Sequence, residues 1–241
     1  MLKFLKNKKM FLALIFALFL ALRIYGLNLP YHQDENSLPG LASAGLAGLG
    51  NIPHPPLTSL IFIAGVHLFG SAHMRYLPFV FGIINFWLIF LLVKYRFSSN
   101  AALWSILFFS IGFYNVLASL MIDTDGQILT FFFLLSATAF YKWQDGATAK
   151  RKIFWGGLLI IPMLLGFLTK ASFIIAFGAI VLDFLYSQGY LLSRQKLFKV
   201  ASAIFGLLVL FAVLVFGVLY FLPNLSISRM LTYWKHFIVF S

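Results

Sequence analysis

The amino-acid sequence predicts an all-α integral membrane fold: about seven spanning helices, with interfacial helices in a long first external loop. Three observations predict it. Of 241 residues, 62% are hydrophobic and only 10% are charged, whereas soluble domains carry about a quarter charged residues. The apolar residues gather into segments of near-spanning length. Alternation of apolar and polar residues never persists, so strands are not expected. A mean hydropathy of +0.97 excludes a soluble globular or a disordered chain. The absence of cysteine excludes disulfides, thiolate metal sites and a cysteine nucleophile.

The first span covers residues 10–29. Lys3, Lys6, Lys8 and Lys9 precede it and place the N-terminus in the cytoplasm. No small-x-small cleavage pattern follows at Arg23-Ile24-Tyr25, so the segment is kept as a helix. Further spans are expected over residues 77–93, 101–120, 126–141, 153–169, 171–186 and 200–222. An eighth candidate, residues 57–70, is short and contains His67. Charge decides its status. If it does not span, 13 basic residues fall inside and 5 outside; if it spans, the tally becomes 8 and 10. The positive-inside rule therefore keeps residues 30–76 as one external segment on the outer leaflet. Pro30, Pro39, Pro53, Pro55 and Pro56 divide it, and residues 36–50 suit a short surface helix. There is no internal repeat and no second domain, so residues 1–241 read as one transmembrane module.

The net charge of +12 does not indicate nucleic-acid binding, because the basic residues sit in short runs between apolar segments and act as topology signals. With this topology Asp34, Glu35, Asp123 and Asp125 emerge on the external face, and only Asp145 and Asp183 lie on the cytoplasmic side. Asp34-Glu35 reads either as a solvated loop pair or as a base and its neighbour. A divalent cation held by Asp34, Glu35 and Asp125 is a further reading. Asp123 and Asp125 serve as helix caps or as a second acidic site. His54 is fixed at a helix entrance by Pro55-Pro56. The histidines show no zinc-type spacing. Lys170 stands alone in a short external turn, where it snorkels or pairs with a lipid phosphate; Arg23 and Arg75 share that ambiguity. Asp183 is expected to snorkel, and Asp145 to be a solvated loop residue.

The order of these features resembles a known superfamily. An Arg ends helix one, then come Asp34-Glu35, His54-Pro55-Pro56-Leu57, Phe69-Gly70 and Arg75, an external Asp before a Phe-rich helix, and Gly166-x-x-x-Lys170. This is similar to the membrane-embedded GT-C glycosyltransferases. It is nearest to the branch of dolichyl-phosphate-mannose–protein mannosyltransferases and aminoarabinose transferases. The resemblance runs from about residue 10 to the end. It implies the same count of spanning helices and interfacial helices in the first external loop. It also implies a sugar donor carried on a polyprenyl phosphate, an acceptor hydroxyl on a glycan, lipid or protein, and inverting displacement at the external face. Asp34 then matches the base, with Glu35 supporting it or helping to bind metal. Asp125 fits the second acid better than Asp123, and both are kept. Lys170 and His54 would face the lipid phosphate, with Arg23 and Arg75 as further candidates. Asn36-Ser37 and Ala171 depart from the family's pattern. Members are much longer, so a truncated product or fragment is expected, with activity of this chain alone in question. Two other classes are weighed: a non-catalytic protein that only binds a polyprenyl lipid, and a transporter or flippase. The clustering of acids at one surface and the lack of a repeat count against transport.

Overall fold

The computed structural model describes residues 7–32, 35, 37–45 and 56–187, with four further positions at 202, 206, 209 and 213. The described elements are helical. They comprise α1 (Lys8–Ile24), α2 (Ser37–Ser43), α3 (Pro56–Phe69), α4 (Tyr76–Arg96), α5 (Ser99–Ile111), α6 (Phe113–Ala118), α7 (Leu129–Gln144), α8 (Ala149–Thr169) and α9 (Ile174–Ser187). Among the described residues, three stretches are long and apolar enough to cross a bilayer: Lys8–Asn28, Tyr76–Arg96 and Ala149–Thr169. The chain is an all-α membrane protein. The last expected span, residues 200–222, lies outside the described residues save for the four isolated helical positions.

The helices start where side chains replace missing ladder bonds. Ser98 caps α5 by accepting the Ala101 N–H at 3.1 Å, and Thr148 caps α8 by accepting the Arg151 N–H at 3.3 Å. Helix α1 sorts its faces with a period of four. Ile15, Phe19 and Arg23 turn inward, while Leu14, Leu18 and Leu22 stay exposed, as a lipid-facing stripe does. In lipid the hydrophobic effect does not separate helix–helix from helix–lipid contact, so packing quality decides which face turns in. Here aromatic rings supply it: Phe19 lies 5.4 Å from Phe86 and 6.1 Å from Phe109, ring centre to ring centre.

Helix α4 sits centrally, touching α3, α5 and α7, while α1 packs on α5 and α8 lies along α7. Helix α3 has 14 residues, hence a length of about 21 Å against a hydrocarbon core of about 30 Å. It is too short to cross alone. It packs instead against α2 and the end of α8, burying Phe62 and Ile63.

Two expected spans are broken. Residues 101–120 are not one helix, because α5 stops at Gly112, whose ψ of 121° is not helical. The helix before Tyr141 is preceded by a kinked turn, Thr124–Ile128, in which Gly126 departs from helical geometry. A Cβ on Gly126 would lie 2.9 Å from the Ala118 Cβ and 3.0 Å from its carbonyl oxygen, so a larger residue would push the turn away from α6. At the opposite end of the bundle Asp145 is exposed, as expected of a loop residue, and has two partners. It accepts from Tyr95 at 2.7 Å and lies 3.9 Å from Arg96.

Gly166 is a second close approach. A Cβ there would meet three atoms of the Phe173 ring at 2.6 Å, and Phe173 is wholly buried. Gly166→Ala is expected to destabilise the protein by about 1–3 kcal/mol through overpacking. Gly157→Ala, on the same helix with open space around it, should be neutral or stabilising. Thermal unfolding of the two variants in detergent makes the comparison; equal midpoints would remove the packing argument.

Candidate functional site

The candidate site lies at the end of the bundle where α1, α5 and α8 finish and α4 begins. Helix α8 ends in Gly166-Phe167-Leu168-Thr169, and Lys170 follows in extended conformation. Its backbone is held on both sides: its N–H donates to Gly166 O at 3.0 Å, and its carbonyl accepts from Phe173 at 3.1 Å. Thr58 of α3 donates to the Thr169 carbonyl at 2.7 Å, which fastens the turn to the start of α3. The Lys170 ammonium donates to a carboxylate oxygen of Asp125. Both side chains remain partly exposed, Lys170 at 18% and Asp125 at 39%. A charged pair in reach of solvent at a bundle end is available to ligand, unlike one sealed in the core.

Asp125 sits in the kinked turn. Asp123, in extended backbone just before, accepts the Thr124 N–H at 2.6 Å and so acts as the turn's cap. The remainder of that carboxylate is half-buried. The sequence left both capping and function open for these residues; Asp123 caps, and Asp125 pairs with Lys170.

Glu35 is 1% exposed and saturated. Its Oε1 accepts the Ile122 N–H at 2.6 Å. Its Oε2 accepts the His32 N–H at 2.8 Å and the Arg75 guanidinium at 2.7 Å. Arg75, itself buried, also donates to the carbonyls of Gly26, Leu29 and Pro30. The ion pair thus ties the segment after α1 to the start of α4, and Glu35 also ties it to Ile122, next to Asp123. Tyr31 adds a bracket, donating to Ser71 O at 2.5 Å and accepting the Met74 N–H at 3.0 Å. Burial holds the Tyr31 phenol above its ordinary pKa of 10.0, so it remains a donor.

The structure therefore brings Asp125 to Lys170, and Glu35 to Arg75 and to the neighbour of Asp123. Arg23 is fully buried and donates to the carbonyls of Phe19, Phe109 and Ser110 and to the Ser119 hydroxyl. Asp34 and His54 lie outside the described residues. As for a divalent cation, no three His, Asp or Glu side chains converge among the described residues. The oxygens of Glu35 already accept three N–H donors and Asp125 is engaged by an ammonium, so these two do not fit as an open oxygen site in this arrangement. Tyr31 and Thr58 were not singled out from sequence. Tyr31 had a signal in its place three residues before the acidic pair; Thr58 had none.

A family model described as dolichyl-phosphate-mannose-protein mannosyltransferase matches residues 53–221, well over half of the chain. The matched stretch contains His54, Arg75, Asp123, Asp125 and Lys170; Arg23, Asp34 and Glu35 precede it. Comparison with curated proteins and with solved structures finds no match.

Proposed function

The chain belongs to the dolichyl-phosphate-mannose-protein mannosyltransferase family, and from that premise we propose that it moves a sugar from a polyprenyl-phosphate donor to an acceptor hydroxyl at the external membrane face. It is a membrane glycosyltransferase of GT-C type by family; the residue roles below are our reading. The Asp34 carboxylate takes the acceptor's hydroxyl proton. The acceptor oxygen attacks the anomeric carbon on the side opposite the phosphate. The bond from that carbon to the phosphate oxygen breaks, and the lipid phosphate leaves with the electron pair, inverting the centre. Lys170 meets the charge that grows on the phosphate. His54 assists it. Asp125 holds Lys170 and exchanges it for the phosphate on donor binding. Glu35 and Arg75 hold the loop that carries Asp34, and Arg23 works inside the protein.

One observation carries this reading. Asp125 and Lys170, 45 positions apart in sequence, meet as a partly exposed ion pair at one end of an apolar bundle. The pair is formed between two distant segments and is partly exposed, so its ammonium is within reach of a phosphate group that can take it over from the carboxylate. The test uses the purified full chain with radiolabelled polyprenyl-phosphate sugar, following label lost from lipid. Lys170→Met is expected to lower kcat/KM by roughly 10²- to 10³-fold, the cost of removing one donor to developing charge. Equal rates for the variant and the parent would remove Lys170 from the mechanism. Donor binding without turnover in the parent would favour a lipid-binding protein instead.

The orientation has its own test. The positive-inside rule puts residue 98 inside and residue 51 outside. Since the chain has no cysteine, Ser98→Cys and Asn51→Cys report without background. Impermeant maleimide should label them from opposite sides; labelling from one side would overturn the placement of residues 30–76.

A further inference from the structure

Helix α1 carries one charge into the protein interior. Arg23 has no solvent exposure and is the largest of the fully buried side chains. Its Nη1 donates to the carbonyls of Phe19 and Ser110 at 3.0 Å each, its Nη2 to that of Phe109 at 3.5 Å, and its Nε to the Ser119 hydroxyl at 3.0 Å. Its Cζ lies 3.8 Å from the centre of the Phe19 ring. None of these acceptors is a carboxylate. A lone guanidinium out of water is costly unless something negative faces it.

What faces it is the end of a helix. Phe109 and Ser110 lie in the last turn of α5, which stops at Gly112. Carbonyls in a last turn have no ladder partner and carry the negative end of the helix dipole. Arg23 supplies both the missing donors and the opposing charge, so the break at Gly112 and the buried arginine stabilise each other.

The bonds then continue toward the candidate site. Ser119 accepts from Arg23 and passes its own hydroxyl proton to Asn115 O at 2.7 Å. Gln127 donates to that same carbonyl at 3.3 Å. Asn85, midway along α4, donates to the Gln127 side-chain oxygen at 2.8 Å and to its carbonyl at 2.7 Å. Ser119, Gln127 and Asn85 are all buried to 1% exposure or less. Gln127 belongs to the kinked turn and lies two residues beyond Asp125. A largely buried polar chain, with Asn115 half-buried, therefore joins the end of α1 to the turn that presents Asp125 to Lys170.

We propose that Arg23 is a positioning residue for the Asp123–Asp125 turn, acting through Ser119, Asn115 and Gln127 without touching substrate. Its consequence for catalysis rests on the function proposed above; its consequence for the turn does not. The experiment is amide hydrogen exchange on the full chain in detergent, run beside the transfer assay. Ser119→Ala keeps the arginine and removes only the relay. It should speed exchange on the order of tenfold at residues 121–128, as loss of one charge-linked hydrogen bond does, and leave α8 unchanged. It should raise the donor KM, because the turn presents Asp125 to Lys170, and leave the acceptor KM unaltered. Arg23→Met should exceed that local effect, and Arg23→Lys, which keeps the charge but not the fork, should fall between. If Arg23→Met does not fold, Ser119→Ala and Gln127→Leu decide. Unchanged protection at 121–128, or faster exchange spread evenly over all helices, would overturn the proposal. A local loss of protection in a protein that never transfers sugar would uphold the positioning and sink the proposed function.

Discussion

Replacing Asp34 by Asn is expected to abolish sugar transfer, with a loss of roughly 10²- to 10⁴-fold, the usual contribution of a positioned general base. The substitution keeps size and shape, and it removes the negative charge and with it the ability to take a proton. Expression and thermal midpoint should therefore stay near those of the parent. Donor affinity should stay as well, since the phosphate is assigned to Lys170 and His54, which separates this variant from Lys170→Met. The measurement is turnover of labelled polyprenyl-phosphate sugar at saturating donor, with donor binding measured in parallel. A variant that binds and turns over like the parent would show that the acceptor proton leaves by another route. Glu35→Gln is not an equivalent experiment. All three acceptor contacts of Glu35 are with N–H donors, so an amide NH2 there would face a donor and unfold the loop before any chemistry is probed.

The second large effect concerns stability. Arg75→Met should cost about 3–5 kcal/mol, because it leaves the Glu35 carboxylate buried without its counter-charge. The side chains of Arg75 and Glu35 are 8% and 2% exposed, so water does not replace the lost partner. The carbonyls of Gly26, Leu29 and Pro30 lose their donor in the same step. Arg75→Met with Glu35→Gln should be less damaging than the two single costs added together, since the doubly altered site retains no net charge. Thermal unfolding in one detergent across the four proteins measures this. Strict additivity would mean that the pair contributes nothing as a pair.

Hydropathy made much of the bundle legible, because spanning helices announce themselves by length. The stretches around α1, α4 and α8 fall where the apolar runs lie. The break at Gly112 was not legible. Residues 101–120 are evenly apolar, and what stabilises the interruption is an arginine 87 positions upstream of Ser110. The charged residues were legible as rare and therefore in need of partners. Their pairing was not, since Glu35 meets Arg75 across 40 positions and Asp125 meets Lys170 across 45. Charge counting placed these groups on one side of the membrane, but which of them touch depends on how α3 and the kinked turn pack. Asp145 was legible as an exposed loop acid, but its partners were not: α4 and α7 run parallel, and their C-terminal ends bring Tyr95 and Arg96 to it.

The proposed site requires acidic groups from distant segments to converge with Lys170 at one rim of the bundle. Asp34→Cys with Asp125→Cys, in a chain that has no other cysteine, tests that convergence through bifunctional maleimides of graded length. We expect intramolecular bridging by a reagent spanning about 10–15 Å, the reach over which two side chains share one bound substrate. Bridging only by much longer reagents, with both cysteines reactive singly, would contradict a shared site.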